Sequence, residues 1–339
     1  MNKLLGIDLA KESFYFCGMQ HRKVCLEKKV SRVKVLREVE SFNPTTIYME
    51  ACGGAHFWAR QFRERGYEVV LIPAQDVKPF VKGQKNDRND ALAIIEAGSR
   101  PKKTTVNIKT EEQQDIQSLH RVRDGFVKYR VALTNQLRGL LSEYGYVFTR
   151  GDSNLINGLK QLLSEEDICD KHSSTFKELA QDQLSEILRI KGKEERISKH
   201  LKQISKDNYY CNKLLKFPGV GHLTATAFYA AVGSGKHFRN GRHASAWLGL
   251  VPRQRSTGGK TCLLGITKNG DKNLRRLIIQ GSRAKIISAK NKGDISNLNA
   301  WINKTLDKKG FNMTAIALSN KNVRAMIMVL KNDGEYIEI

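Results

Sequence analysis

The stretch Lys3-Leu-Leu-Gly-Ile-Asp-Leu-Ala-Lys-Glu12 constrains the chain most. Leu4, Leu5, Ile7 and Leu9 are the residues of a buried strand, and Asp8 stands among them. Burying an unpaired charge costs roughly several kcal/mol, so Asp8 needs a cation or a hydrogen-bond donor. An aspartate that only caps a turn at a strand end would meet that need. Three more acids in similar settings argue for something larger. Glu50 closes the apolar run Thr46-Ile-Tyr-Met-Glu50, and Asp87 and Asp90 open the helical stretch Asp87-Arg-Asn-Asp-Ala-Leu-Ala-Ile-Ile-Glu96. Spaced three apart, these two share one helical face, although the helix dipole alone also favours acids in a first turn. Four converging carboxylates repel one another unless a hard cation lies between them. Mg²⁺ takes oxygen ligands and keeps waters. Asp8, Glu50, Asp87 and Asp90 are therefore the candidate metal ligands and catalytic acids, for one or two Mg²⁺ ions. Two such ions about 3.5–4 Å apart clamp the attacking and leaving oxygens of a phosphodiester.

Around these acids the pattern is strand (4–9), hairpin (14–19 and 24–30), helix (33–42), strand to Glu50, helix (56–65) and strand (68–72). That is the order of an RNase H-like sheet, whose first and fourth strands are neighbours, so Asp8 and Glu50 meet. Pro79, Gly83 and the polar residues 84–86 read as a loop. From Thr110 to Gly145 an apolar stripe runs at three-to-four spacing behind a capping box, Thr110-Glu-Glu-Gln113. A second box, Thr175-Phe-Lys-Glu178, opens a helix reaching Ile204, weakened locally by Gly192. The two are expected to pack as a long antiparallel coiled-coil arm, with 150–174 as a linker carrying a short helix. The fold class is α/β plus α: an RNase H/RuvC-like domain over 1–108, the arm over 109–210, and a mostly helical domain over 211–339.

Charge narrows the function. Lys and Arg number 58 against 34 Asp and Glu, a net +24. Residues 236–292 carry 14 basic residues and one acid, Asp271. A solvated surface mixes both signs, and a one-sided basic field over a folded segment is a nucleic-acid face. No apolar run is long enough to span a membrane, and no signal peptide is expected. Six scattered cysteines without a Cys-x-x-Cys read as reduced thiols of a cytoplasmic protein, with neither zinc nor disulfides.

The basic segment holds two motifs. Phe217-Pro-Gly-Val-Gly-His-Leu-Thr-Ala-Thr-Ala227 resembles the hairpin of a helix-hairpin-helix, in which Gly219 and Gly221 would let backbone N–H groups approach a phosphate; a tight loop before an Ala-rich helix is the plainer reading. Trp247-Leu-Gly-Leu-Val-Pro252 leads into Arg253-Gln-Arg-Ser-Thr-Gly-Gly-Lys260, a glycine-flanked loop that exposes Ser256. Arg253, Arg255 and Lys260 would hold a phosphate beside the hydroxyl, which is a contact or a nucleophile. Lys268, Arg275 and Arg276 continue the basic face.

These residues together resemble the DEDD-type insertion-sequence transposases of the Piv/MooV group. The order Asp8, Glu50, Asp87, Asp90, with Glu50-Ala-Cys-Gly-Gly-Ala-His56, matches their RuvC-like domain. Pro218-Gly-Val-Gly221, Trp247–Gln254, Ser256-Thr-Gly-Gly-Lys260 and Lys268-Asn-Gly-Asp271 match their second domain. The resemblance implies a serine recombinase in which the tetrad holds Mg²⁺ and Ser256 attacks double-stranded DNA to form a phosphoserine, with Thr257 where an adjacent hydroxyl is usual. It also implies a structured bridge RNA as guide, and a homo-oligomer, dimer or tetramer, with composite active sites. A RuvC-like hydrolytic endonuclease or resolvase, in which Ser256 is only a phosphate contact, is the first rival. An actin/Hsp70-type ATPase is another, since Gly6-Ile-Asp-Leu-Ala-Lys-Glu-Ser13 resembles that fold's first phosphate loop. A DNA-binding protein without catalysis is the third.

Overall fold

The computed structural model describes residues 3–84, 86–101, 103–164, 172–291 and 296–336. It forms two compact units, 1–110 and 111–339.

The first unit is a five-stranded sheet with helices on both faces. Strands β1 (Lys3–Leu9), β2 (Ser13–Gln20), β3 (Lys23–Ser31), β4 (Thr46–Glu50) and β5 (Glu68–Ile72) lie in the order β3-β2-β1-β4-β5. The pairs β1/β2 and β2/β3 are antiparallel, while β1/β4 and β4/β5 are parallel. The expected neighbours, first and fourth, are neighbours. Side chains alternate between faces along a strand. Leu5, Ile7, Ile47 and Met49 therefore pack on one face with helices α1 (Val35–Phe42) and α2 (Ala55–Glu64), around Val39, Trp58 and Phe62. The other face, with Tyr48 and Ile72, is covered by helix α4 (Asp87–Gly98) through Ala93, Ile94 and Ala97. Asp8 and Glu50 fall on this second parity. The segment after β5 holds a short helix α3 (Ala74–Val77) and a 3₁₀ turn, Lys78–Phe80, which takes up the start of the expected loop. Edge strand β3 keeps four of its nine residues for Lys and Glu, which discourages pairing with other chains.

Gly6 decides how close α4 comes. A Cβ there would lie 2.5 Å from the Ala91 carbonyl oxygen and 2.5 Å from Ile95 Cγ1. Helix and strand thus touch backbone to backbone. Gly6 lies inside β1 and is closed over by α4.

Among its described residues the second unit is helical apart from one hairpin. Helices α5 (Glu111–Glu143) and α7 (Ser174–Asp207) run antiparallel: Glu112 accepts from Asn208, Arg123 donates to Ser198 and Glu194, and Tyr144 packs on Phe176. Glu194 also accepts from Arg130 at 3.0 Å, so one half-buried carboxylate ties two arginines of the facing helix. One sequence expectation needs correction. Helix α7 is capped by Ser173, whose Oγ accepts from Phe176 N, two residues before the box at Thr175. The helix expected within the linker is α6 (Asp152–Ser164), whose Leu155, Ile156, Leu159 and Leu162 complete the core between α5 and α7. Their helical spacing outweighs the polar composition around them. Residues 165–171 of that stretch, with Cys169, lie outside the described residues; the described cysteines are free.

The rest wraps around helix α9 (His222–Val232), which is apolar on nearly every side. It packs against α8 (Tyr209–Leu215), α11 (Lys272–Asn291) and the end of α12 (Asn297–Lys331) in a core that also takes Ile116 and Leu201 from the long helices. Helix α12 bends at Gly310 (φ 73°). His120 on α5 shares a hydrogen bond with Thr226 Oγ at 2.9 Å, and burial holds its imidazole down at about 4. A histidine kept neutral in the fold contributes stability above its unfolded value near 6.5, and that stability is lost as pH falls towards 4. Melting temperature is expected to drop across that window, and His120→Gln to flatten the drop.

Candidate active site: an acidic tetrad and a serine hairpin

The register sets the first two acids. Ile7 pairs with Met49 in parallel, so the next residues, Asp8 and Glu50, end adjacent strands on the face that α4 covers. Asn86 caps α4, its Oδ1 accepting from Asn89 N at 2.8 Å. This cap makes Asp87 the first helical residue and Asp90 the last before Ala91, the residue seated over Gly6. The backbone contact at Gly6 thereby brings the helix's first turn to the end of β1.

The carboxylates feel one another. Burial, then Asp90, Asp87 and Glu50, push the Asp8 carboxyl from 3.8 up to about 6, against a lowering hydrogen bond from the Leu9 backbone. Glu50 is raised by burial and by Asp90. Cys52 is raised by burial, Glu50 and Asp8, so its thiol lies in the same field. Asp8, Glu50 and Asp90 are half-buried and Asp87 is exposed. Full convergence is not reached: among the described residues no three His, Cys, Asp or Glu side chains stand in a set that could hold a metal ion. The donor set fits a hard divalent cation, since it is all carboxylate oxygen and its central member is burdened with charge.

Ser256 lies on a β-hairpin, β6 (Pro252–Thr257) and β7 (Lys260–Ile266), where a loop was expected. The turn residues Gly258 and Gly259 both have positive φ, 56° and 78°, as a type I′ hairpin turn requires. Gln254 and Ser256 share a face, and Gln254 Nε2 donates to Ser256 Oγ at 2.8 Å. Gln254 was not singled out as a site residue; reading Gly-Gly as a turn, with alternation along the strand, would have found it. Arg253, Arg255, Ser256, Thr257 and Lys260 are exposed, as is Lys268 beyond the hairpin.

A lone two-stranded hairpin is marginal in water, so its root matters. Thr267 N donates to Val251 O at 2.9 Å and Lys268 N to Gly249 O at 3.2 Å. A Cβ on Gly249 would lie 2.3 Å from Asn269 N, and one on Gly270 2.3 Å from Trp247 O. The segments 247–251 and 267–270 are thus interlocked. Arg275, expected on the nucleic-acid face, is a strut instead. It is 8% exposed, and its Nη1 donates to Leu248 O at 3.2 Å and Asn269 O at 2.5 Å. Charge counting cannot separate such an arginine from its exposed neighbours. Arg275→Met is expected to destabilise the unit by about 1–3 kcal/mol, leaving the buried Leu248 carbonyl and the Asn269 carbonyl without this donor, as read by urea unfolding. Arg276 stays at the surface, with Nη2 3.4 Å from Asp124 Oδ1.

Gly219 also serves packing. A Cβ there would lie 2.5 Å from Gly281 O, and one on Gly281 would lie 1.9 Å from Gly219 O. The hairpin at 217–221 and α11 cross at these two glycines, so Gly219 is not open to a phosphate on that side. Gly221 is exposed, with open space where its Cβ would be. Gly281→Ala is expected to cost about 1–3 kcal/mol in thermal unfolding.

Two family models match the chain. One, described as a transposase, covers residues 5–146, from β1 to just past α5. The other, the transposase IS116/IS110/IS902 family, covers 211–296 and with it the serine hairpin and its root. The transposase for insertion sequence element IS1111A of Coxiella burnetii is 41% identical over 98% of this chain and 91% of its own length. The chain belongs to the IS116/IS110/IS902 transposase family. A probable family 20 transposase of Pseudomonas aeruginosa is 39% identical over 98% of both chains, and the transposase for insertion sequence element IS1328 of Yersinia enterocolitica is 39% identical over 95% of this chain and 94% of its own. The tetrad of this insertion-sequence transposase lies within the first matched region, and Ser256 within the second. Among the described residues no helix is long and apolar enough to cross a membrane.

Proposed function

We propose that this transposase recombines double-stranded DNA through a covalent phosphoserine at Ser256, with Asp8, Glu50, Asp87 and Asp90 of its RuvC-like domain holding Mg²⁺. The observation that carries the reading is the Asp8 carboxyl, raised to about 6 by burial and by three carboxylates from two further elements. Such crowding is unfavourable unless a cation is to be bound there. When bound, Mg²⁺ supplies Lewis acidity at the phosphate and lowers the barrier to deprotonating a hydroxyl. Ser256 Oγ attacks phosphorus, forming one P–O ester bond as one in the DNA strand breaks, and its proton leaves with the departing oxygen or a water. Energy of the broken diester is kept in the phosphoserine, so rejoining needs no ATP. Arg253, Arg255, Lys260 and Lys268, all exposed, hold phosphates beside the hydroxyl.

Three functional segments follow: 1–108 for metal, 109–210 as a coiled-coil arm, and 211–339 for the serine and DNA affinity. The protein acts as a homo-oligomer, a dimer or tetramer, the tetrad of one subunit serving the serine of another. A bridge RNA guides the choice of DNA. The test is trapping on a nicked suicide substrate, followed by mapping of the adduct by mass spectrometry. Modification of Ser256 is expected, and recombination without any adduct refutes the covalent step. One observation favours the hydrolytic rival: the side chain hydrogen-bonded to Ser256 Oγ is Gln254, which is no base. In that case Ser256 only contacts phosphate.

A further inference from the structure

A groove of about 780 Å³ opens in the second unit between helix α10 (Gly241–Trp247), the last turns of α12 and residues 335–336. Its rim is basic. Gly241 lets α10 sit directly on α12, since a Cβ there would lie 2.7 Å from Arg324 O. This contact sets Arg242 beside Arg324. Both side chains are exposed, and among the described residues neither guanidinium has an ion-pair or hydrogen-bond partner. Lys321, with its ammonium 5.2 Å from the Trp301 ring, extends the rim. The acid at the mouth, Glu335, is taken by Lys216. The floor of the groove is apolar, with Met328, 40% exposed, and the buried Val329 among its lining. Tyr336 forms a wall, its ring braced on Phe217 at 4.5 Å.

Free guanidiniums above an apolar floor with one braced aromatic ring match a single strand better than a duplex. A duplex turns its phosphates outward and hides its bases, so it leaves Met328, Val329 and Tyr336 without contacts. A single strand offers phosphates to the rim and base faces to the floor and the ring. We propose that this groove binds a single-stranded segment of DNA, as a contact separate from the serine hairpin. The proposal rests on the reading that the chain acts on DNA, but not on the phosphoserine.

Anisotropy with the full-length chain and a fluorescein-labelled 12-mer of thymidine tests it. Arg242→Gln with Arg324→Gln is expected to weaken binding at least tenfold. The same pair should flatten the dependence of log affinity on log salt by about 1.4, roughly 0.7 per lost phosphate contact. Tyr336→Ala is expected to weaken binding about fivefold or more through lost stacking. Lys308→Gln with Lys309→Gln, two exposed lysines outside the groove, removes the same charge and should change affinity less than twofold. Equal losses in that control, or equal losses for a 12-bp duplex, overturn the proposal. A uridine 12-mer bound tenfold more tightly than the DNA overturns it in favour of RNA. Should the double variant melt early, Arg242→Gln alone carries the test, with about a threefold loss expected. Ser256→Ala separates the two readings: it should abolish adducts and leave thymidine binding intact, so loss of one result does not decide the other.

Discussion

Asp8→Asn is expected to abolish strand transfer, by a factor on the order of 10³ or more, while making the metal-free protein more stable at neutral pH. The two effects have one cause. The folded state raises the Asp8 carboxyl from 3.8 to about 6, so it holds that proton more tightly than the unfolded chain does. The contribution to stability is full below about 3.8 and is lost as pH rises through 6. At pH 7.5 the ionised Asp8 therefore opposes folding, and an uncharged amide of the same shape removes the opposition. The gain is about 1 kcal/mol once solvent screening at this half-buried position is allowed for. It should shrink to a small fraction at pH 4, where the folded Asp8 is already uncharged, and vanish well below 3.8. Millimolar Mg²⁺ should reverse the ranking at pH 7.5 by stabilising only the wild type. Melting curves at pH 4 and 7.5, with and without the ion, check all three statements. A variant that is less stable than wild type at pH 7.5 without metal would mean that Asp8 is held by a favourable partner, and the case for a cation site would fall.

The same residues show what a sequence carries and what it hides. Asp8 and Glu50 were legible because strand alternation is strict: both follow apolar runs, and parity puts both on one face. Asp87 and Asp90 were legible from helical spacing. Their distance from the strand end was not, because it is set by what Gly6 lacks, a Cβ that would strike Ala91 and Ile95. Local signals compete at closely spaced sites. Ser173 and Thr175 both suit a helix cap, and packing of Phe176 and Ala180 into the bundle accompanies the earlier start. Charge is the least legible of all. Arg253 and Arg275 look alike in a basic stretch, yet one is exposed on a hairpin and the other closes its root. The difference comes from contacts 27 residues apart in the chain, which no local pattern records.

Ser256→Ala is expected to remove covalent adducts and strand exchange altogether, a loss on the order of 10⁴ or more, with DNA affinity changed by less than about threefold. The oxygen is dispensable for the fold. It sits on an exposed strand, and the hydrogen bond from Gln254 that it accepts is exposed as well, so the melting temperature should hold within about a degree. A functional loss without a structural one isolates the hydroxyl's chemistry. Gln254→Ala supplies the graded comparison. If Gln254 only orients Ser256 Oγ, losing it should slow adduct formation about tenfold and leave affinity alone, since one neutral hydrogen bond contributes about 0.5–1.5 kcal/mol. Thr257→Ala, at the turn end of β6 where alternation turns it to the opposite face from Gln254, should have little effect. The hydrolytic alternative makes the opposite forecast for the first variant: Ser256→Ala keeps cutting DNA at near wild-type rates, because water attacks and the serine merely touches phosphate. Cleavage products without adducts in that variant, at rates within tenfold of wild type, would transfer the nucleophile's role from this hairpin to solvent at the tetrad. The acids would then be the whole of the chemistry, and the conspicuous exposure of Ser256 between Arg255 and Lys260 would reflect grip on the backbone rather than attack on it.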